Sequence, residues 1–142
     1  MATFSDRISE LKLEKEISSQ DLAAIVGVAR FTIDRWRQGK VHLHLSHAII
    51  LADYFECTLD YLVGRCDNER KFVSVPCPAF YSHFLAILDD RGISTYRLRL
   101  ESQIKGGHLD KWKNGSDPLI PTLITAAEYL DVTLDYLVGR ER

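Results

Sequence analysis

The stretch RFTIDRWRQGK, residues 30–40, sets four cations (Arg30, Arg35, Arg37 and Lys40) against one carboxylate, Asp34. Its net charge is +3, inside a segment (residues 1–65) whose net charge is −1. Guanidinium groups present planar forks of N–H donors suited to anions such as phosphate, and a local excess of this kind can bind a polyanion even where the whole chain, at −2, announces nothing. The plain alternative is a helix face dissolved in water. Three histidines (His42, His44 and His47) suggest metal chemistry by spacing alone, but no cysteine or carboxylate at ligand spacing joins them. No metal site and no cofactor is therefore expected. Cys57, Cys66 and Cys77 form an odd set without a C-x-x-C, against both a disulfide framework and a zinc knuckle. A reducing cytoplasm fits them. Cys66 and Cys77 flank a short connector and could sense oxidation, but no nearby basic residue forms an obvious activating pair.

Catalytic constellations are missing. The chain shows no Gly-rich phosphate loop, no nucleophile elbow and no convincing Ser/His/Asp or paired-carboxylate arrangement, so it is not expected to be an enzyme. No motif points to a small-molecule ligand. No apolar run approaches the ~18 residues that cross a membrane, and MATFSDRISE lacks the start of a secretory signal.

The elements that must position the basic stretch are written twice. TLDYLVGR stands at 58–65 and again at 133–140. With one gap, residues 4–65 align with residues 80–140 at 18 identical positions, Trp36 meeting Trp112 and Gly39 meeting Gly115. The expected organisation is a first domain at 1–65, a connector at 66–79 and a second domain at 80–142. KFVSVPCP within the connector alternates apolar and polar residues, which suits either a short strand or an extended linker stiffened by Pro76 and Pro78.

Each repeat reads as five short helices. Phe4, Ile8 and Leu11 recur on one helical face, matched by Phe80, Phe84 and Ile87. Ser18 and Asp21 have capping-box spacing, and Gly27 can end the second helix in the left-handed region. A third helix over 29–37 turns Ile33 and Trp36 inward. A fourth, over 46–55, is apolar along Ile49, Ala52 and Phe55. Thr58 caps the fifth, Leu59, Leu62 and Val63 pack, and Gly64 ends it. The octapeptide is thus read as structural rather than as a tag.

ISSQDLAAIVGVARFTIDRWRQGK resembles the helix-turn-helix of the Cro/repressor-like (XRE) family, with Ala23, Gly27, Val28 and Ile33 on its landmark positions. ISTYRLRLESQIKGGHLDKWKNG resembles the same motif, and TLDYLVG is similar to the family's last helix. The resemblance implies an all-α fold of two tandem five-helix bundles. It implies double-stranded DNA as partner, with the third helix in the major groove. Arg30, Phe31, Asp34 and Arg35 match the base-reading positions. Arginine can give two hydrogen bonds to guanine, and a phenyl ring can meet a thymine methyl. Asp34 could accept from cytosine or pair with Arg30 four residues earlier, and the second reading is favoured because it needs no DNA. Ser19, Arg37 and Lys40 are the phosphate candidates.

The second repeat departs from the pattern. Arg99 stands at a position that wants a small residue, Gln103 where the turn wants glycine, and Gly106 and Gly107 at two reading positions. A left-handed Gln103 would cost ~1 kcal/mol. Thr95, Lys105, His108, Lys111 and Lys113 remain as candidate contacts. The resemblance therefore implies a cytoplasmic, sequence-specific transcriptional regulator, a repressor acting as a homodimer. The competing class is a protein-interaction module, antitoxin-like or scaffolding, that kept the fold and lost specific DNA binding.

Overall fold

The computed structural model describes residues 3–40, 43–67, 72 and 74–141. The fold is all-α, with ten helices among the described residues, and the chain divides into two compact units, Met1–Val73 and Ser74–Arg142. None of these helices is long and apolar enough to cross a membrane.

The first unit contains α1 (Phe4–Lys15), α2 (Ser19–Val26), α3 (Arg30–Arg37), α4 (Leu45–Phe55) and α5 (Leu59–Leu62). Local chemistry sets their ends. The Ser18 hydroxyl accepts from the Asp21 amide at 3.0 Å, and the Asp21 carboxylate accepts from the Ser18 amide at 3.2 Å. Such a reciprocal cap contributes ~1 kcal/mol. Gly27 ends α2 at φ +85°, its amide donating to the Ala23 carbonyl. A side chain there would be strained. Ile8, Leu22, Ile33 and Leu51 are fully buried, and Trp36 is 2% exposed with the Phe4 ring edge-on at 5.9 Å. The α2–α3 corner thus hangs on apolar side chains that leave the rest of α3 free to face outward.

The buried stripe of α4 differs from the expected one. Leu45, Ala48, Leu51, Ala52 and Phe55 are buried, while Ile49 is only half-buried. Both sides of this helix are apolar, so hydropathy alone does not choose the register. The octapeptide forms a helical turn capped by Thr58, whose hydroxyl accepts from the Tyr61 amide at 3.1 Å. It also closes on itself: Arg65 pairs with Asp60, and its amide donates to the Asp60 carbonyl at 2.8 Å. That pair explains an arginine in a repeat otherwise built for packing.

The second unit repeats the order as α6 (Phe80–Asp90), α7 (Thr95–Glu101), α8 (Gly106–Lys113), α9 (Ile120–Leu130) and α10 (Leu134–Val138). Trp112 is buried and meets the stacked Phe80 and Phe84 rings edge-on at 5.2 and 5.4 Å, and the Arg140–Asp135 pair is fully enclosed. The turn after α7 corrects the expectation for Gln103, which does not adopt a positive φ. Ser102 is extended instead (φ −128°, ψ 175°); its hydroxyl donates to the Leu98 carbonyl at 2.6 Å and accepts from the Ile104 amide at 3.2 Å. A serine hydroxyl thus does what glycine's left-handed backbone does in the first unit, and α7 stops one residue shorter than α2.

Phe72 and Val75 are each fastened by a backbone hydrogen bond. The Phe72 amide donates to the Glu56 carbonyl at 2.9 Å in the first unit, and the Val75 amide to the Arg140 carbonyl at 3.0 Å in the second. Pro78 lies against Gly139, where any Cβ would stand 2.4 Å from it. Residues 74–79 are not in a strand, and Lys71 and Val73 of the KFVSVPCP stretch lie outside the described residues. Cys57 is buried, Cys66 half-buried and Cys77 exposed.

Candidate nucleic-acid interface

Helix α3 is two-sided because its sequence is. Ile33 and Trp36, three residues apart, are locked into the core, which turns Arg30, Phe31 and the end of the helix outward. Phe31 is 67% exposed, a cost in water for so large an apolar ring. Arg35 lies beside it, with its guanidinium carbon 5.4 Å from the ring centroid. The Arg35 Nε is shielded from solvent and has no hydrogen-bond partner among the described residues. Asp34 sits between two cations, 3.9 Å from both Arg30 Nε and Arg37 NH1. The pairing of Asp34 with Arg30 expected from spacing is present, and Arg37 joins it. Lys40 is exposed just past α3, and its amide donates to the Arg35 carbonyl at 3.1 Å.

Ser19 occupies a different place from the one its expected role requires. It is 6% exposed, and its hydroxyl accepts from Lys12 Nζ at 2.8 Å and from Arg37 NH1 at 3.5 Å. The hydroxyl therefore stands behind the two cations and holds them, rather than at the surface itself. Lys12, on the last turn of α1, escaped sequence reading altogether. No spacing rule links that turn to the start of α2 and the end of α3; only the packed fold does. Burial, and next the Arg37 guanidinium, hold the Lys12 ammonium below the usual lysine range. The Ser5 hydroxyl, donating to the Arg37 carbonyl, ties α1 to the same corner.

In the second unit, α8 begins at Gly106 despite its two glycines, helped by His108. The His108 Nδ1 accepts from the Lys105 amide at 3.1 Å, so the neutral ring carries its proton on Nε2. Lys105, Lys111 and Lys113 are exposed, and Thr95 and His108 are half-buried. Leu109 and Trp112 face the core as Ile33 and Trp36 do. On α7, the Ser94 hydroxyl caps the helix by accepting from the Arg97 amide at 3.0 Å, and Arg97 pairs with Glu101 at the same distance. Among the described residues no group of three metal-ligating side chains is present; His42 lies outside them, and His47 packs 5.7 Å from the Trp36 ring.

Residues 7–65 match the model of the Cro/C1-type HTH DNA-binding domain. The chain is 37% identical over 60 residues to the HTH-type transcriptional regulator AnsR of Bacillus subtilis (strain 168), covering 42% of this chain and 52% of that protein. It is 21% identical over 114 residues to the HTH-type transcriptional activator BcrR of Enterococcus faecalis, covering 75% of this chain and 53% of that protein. The chain thus spans about half the length of these curated relatives. A transcriptional regulator from Listeria innocua aligns structurally at 20% identity and a TM-score of 0.43, over 89% of this chain and 94% of that one. The buried Ile33 and Trp36, the left-handed Gly27 and the outward cations all stand within the matched residues 7–65.

Proposed function

We propose that the chain is a sequence-specific DNA-binding transcriptional regulator whose first unit lays α3 in the major groove. One observation carries the reading: Ile33 and Trp36 anchor α3 so that Arg30, Phe31 and Arg35 share its outward side, with an exposed phenyl ring among cations. Arg30 and Arg35 offer bidentate donors to guanine, and Phe31 offers an apolar contact to a thymine methyl. Asp34 orients Arg30 and Arg37 rather than reading a base. Lys12, Arg37 and Lys40 meet phosphates, and Ser19 positions the first two through its hydroxyl.

The second unit, in this reading, is a tandem copy of the domain, with Thr95, Lys105, His108, Lys111 and Lys113 on its DNA side. The protein acts in the cytoplasm as a homodimer, without enzymatic activity. Its regulatory sign is repression, which needs only occupancy of the operator. Activation, the sign in the name of the Enterococcus faecalis relative, needs in addition a surface that polymerase touches. Selection of bound sequences from random duplexes tests the reading directly. A recovered motif with guanines where Arg30 and Arg35 lie supports it, and recovery of no motif overturns it. A promoter reporter carrying that motif then reads the regulatory sign.

A further inference from the structure

The second unit segregates its charge. Residues 97–113 carry five Arg or Lys (Arg97, Arg99, Lys105, Lys111 and Lys113) against Glu101 and Asp110, whereas the remainder of residues 74–142 carries three against seven. Arg97 is spent on Glu101 at 3.0 Å. Arg99 is not: it is exposed, makes no ion pair among the described residues, and has its guanidinium carbon 5.9 Å from the Tyr96 ring.

The position of Arg99 is unusual for its place in the repeat. Its counterpart in the first unit is Ala23, a small buried residue of α2 that is 4% exposed. The counterpart of Gly106 is Arg30, the outward cation at the start of α3. In the second unit the two sizes are exchanged. A Cβ built on Gly106 would stand 3.3 Å from Arg99 NH1 and 3.7 Å from its Cδ, so the arginine stem and fork lie across the bare backbone of α8. A side chain at 106 would force the guanidinium to give way. The glycine leaves room for an arginine that arrives from the neighbouring helix. Its fork lies at the first turn of α8, the turn from which Arg30 projects in α3.

We propose that the second unit grips duplex DNA through its phosphates alone, with Arg99, delivered from α7 across Gly106, replacing the cation that α8 lacks. The inference rests on the DNA-binding reading above and adds a division of labour to it. Base preference needs side chains on the outward positions of the recognition helix, and Gly106 and Gly107 supply none. Cations at Arg99, Lys105, Lys111 and Lys113 suffice for the sequence-independent, salt-dependent part of binding.

The experiment measures affinity of the full chain for its selected duplex and for a random duplex across a range of salt. Arg99→Gln is expected to lower affinity on both duplexes alike, by roughly three- to tenfold at low salt, and to reduce the salt slope by about one. Arg99→Lys should recover most of the slope, since a phosphate asks only for charge, and the thermal melting of both variants should match wild type because the side chain is exposed. The double variant Lys111→Gln with Lys113→Gln reads the same patch independently and should show the same uniform loss. Unchanged affinity and slope in both, or a loss confined to one base position of the selected site, overturns the proposal while leaving the DNA-binding reading standing. That reading fails separately, and takes the proposal with it, if the wild-type chain shows no salt-dependent binding to any duplex.

Discussion

Crowding Lys12 against Arg37 costs the free protein stability, since two cations share a single hydroxyl acceptor on Ser19. Asp34 offsets part of the cost from 3.9 Å beyond Arg37. A group whose charged form is disfavoured in the folded state lowers stability wherever it is charged. With the Lys12 pKa pushed below the ordinary 10.5, stability should climb as pH rises through the lowered value, and the climb ends at the ordinary one. Lys12→Met keeps the packed stem and removes the charge. We expect it to melt at the wild-type temperature or above, to lose that alkaline rise, and to bind DNA more weakly on cognate and random duplexes alike. A variant that instead lost stability and kept its affinity would make Lys12 a structural residue. Base readers behave otherwise. Arg30→Ala and Arg35→Ala should each cost about 1–3 kcal/mol at the selected site and relax preference at one or two positions, whereas Lys40→Ala should weaken all duplexes nearly equally. Competition binding with single-base variants of the site distinguishes the two patterns.

Two helices in equivalent places end by different means, and that difference is testable at the level of the element. In α2 the stop is Gly27 at φ +85°; in α7 it is the Ser102 hydroxyl between Leu98 and Ile104. Ser102→Ala should therefore destabilise the second unit by about 1 kcal/mol. Gln103→Gly, which restores the residue the motif leads one to expect, should not stabilise it. Gln103 has no left-handed strain to relieve, and glycine adds disorder to the unfolded chain worth roughly 0.5–1 kcal/mol. A rise in melting temperature for Gln103→Gly would show the turn to be of the first unit's kind. The tie from α7 to α9 titrates: the Tyr129 hydroxyl, and after it Arg97, hold the Glu101 carboxyl below the usual range. A depressed carboxyl contributes stability that is complete above its ordinary pKa and is lost as pH falls through the lowered one. Acid titration of Glu101→Gln should lack that part of the fall.

The same pair of units shows what could be read before folding. Period and caps locate the helices because they are local: Ser18 with Asp21, Gly27 and Thr58 each do what their types and spacing require. The buried side of α4 was not legible, since Ile49 and Ile50 are as apolar as Leu51 and only packing chooses between them. Nor was the corner of Lys12, Ser19 and Arg37, built from three helices, or the exchange of sizes between Arg99 and Gly106. Those arrangements depend on contacts between helices, which no single helix's pattern encodes.

At the scale of the whole molecule, the question is whether one chain carrying two units imitates a dimer or forms one. Two readers of a near-palindrome should keep similar outward residues, and Arg30-Phe31 against Gly106-Gly107 is not similar. We therefore expect two chains on one operator, their first units reading half-sites about one helical turn, ~34 Å, apart. In that arrangement the second units are expected to add affinity and to help hold the pair together. The first compact unit is Met1–Val73, and Phe72 near its end donates its amide to the Glu56 carbonyl. A chain ending at Val73 should accordingly fold, select the same half-site and bind it far more weakly, by a factor on the order of a hundred or more once the linked second contact is lost. Sedimentation of the full chain with its operator should give two chains per duplex and a symmetric site. One chain per duplex on an asymmetric site would make the molecule a single-chain reader whose two units recognise different things.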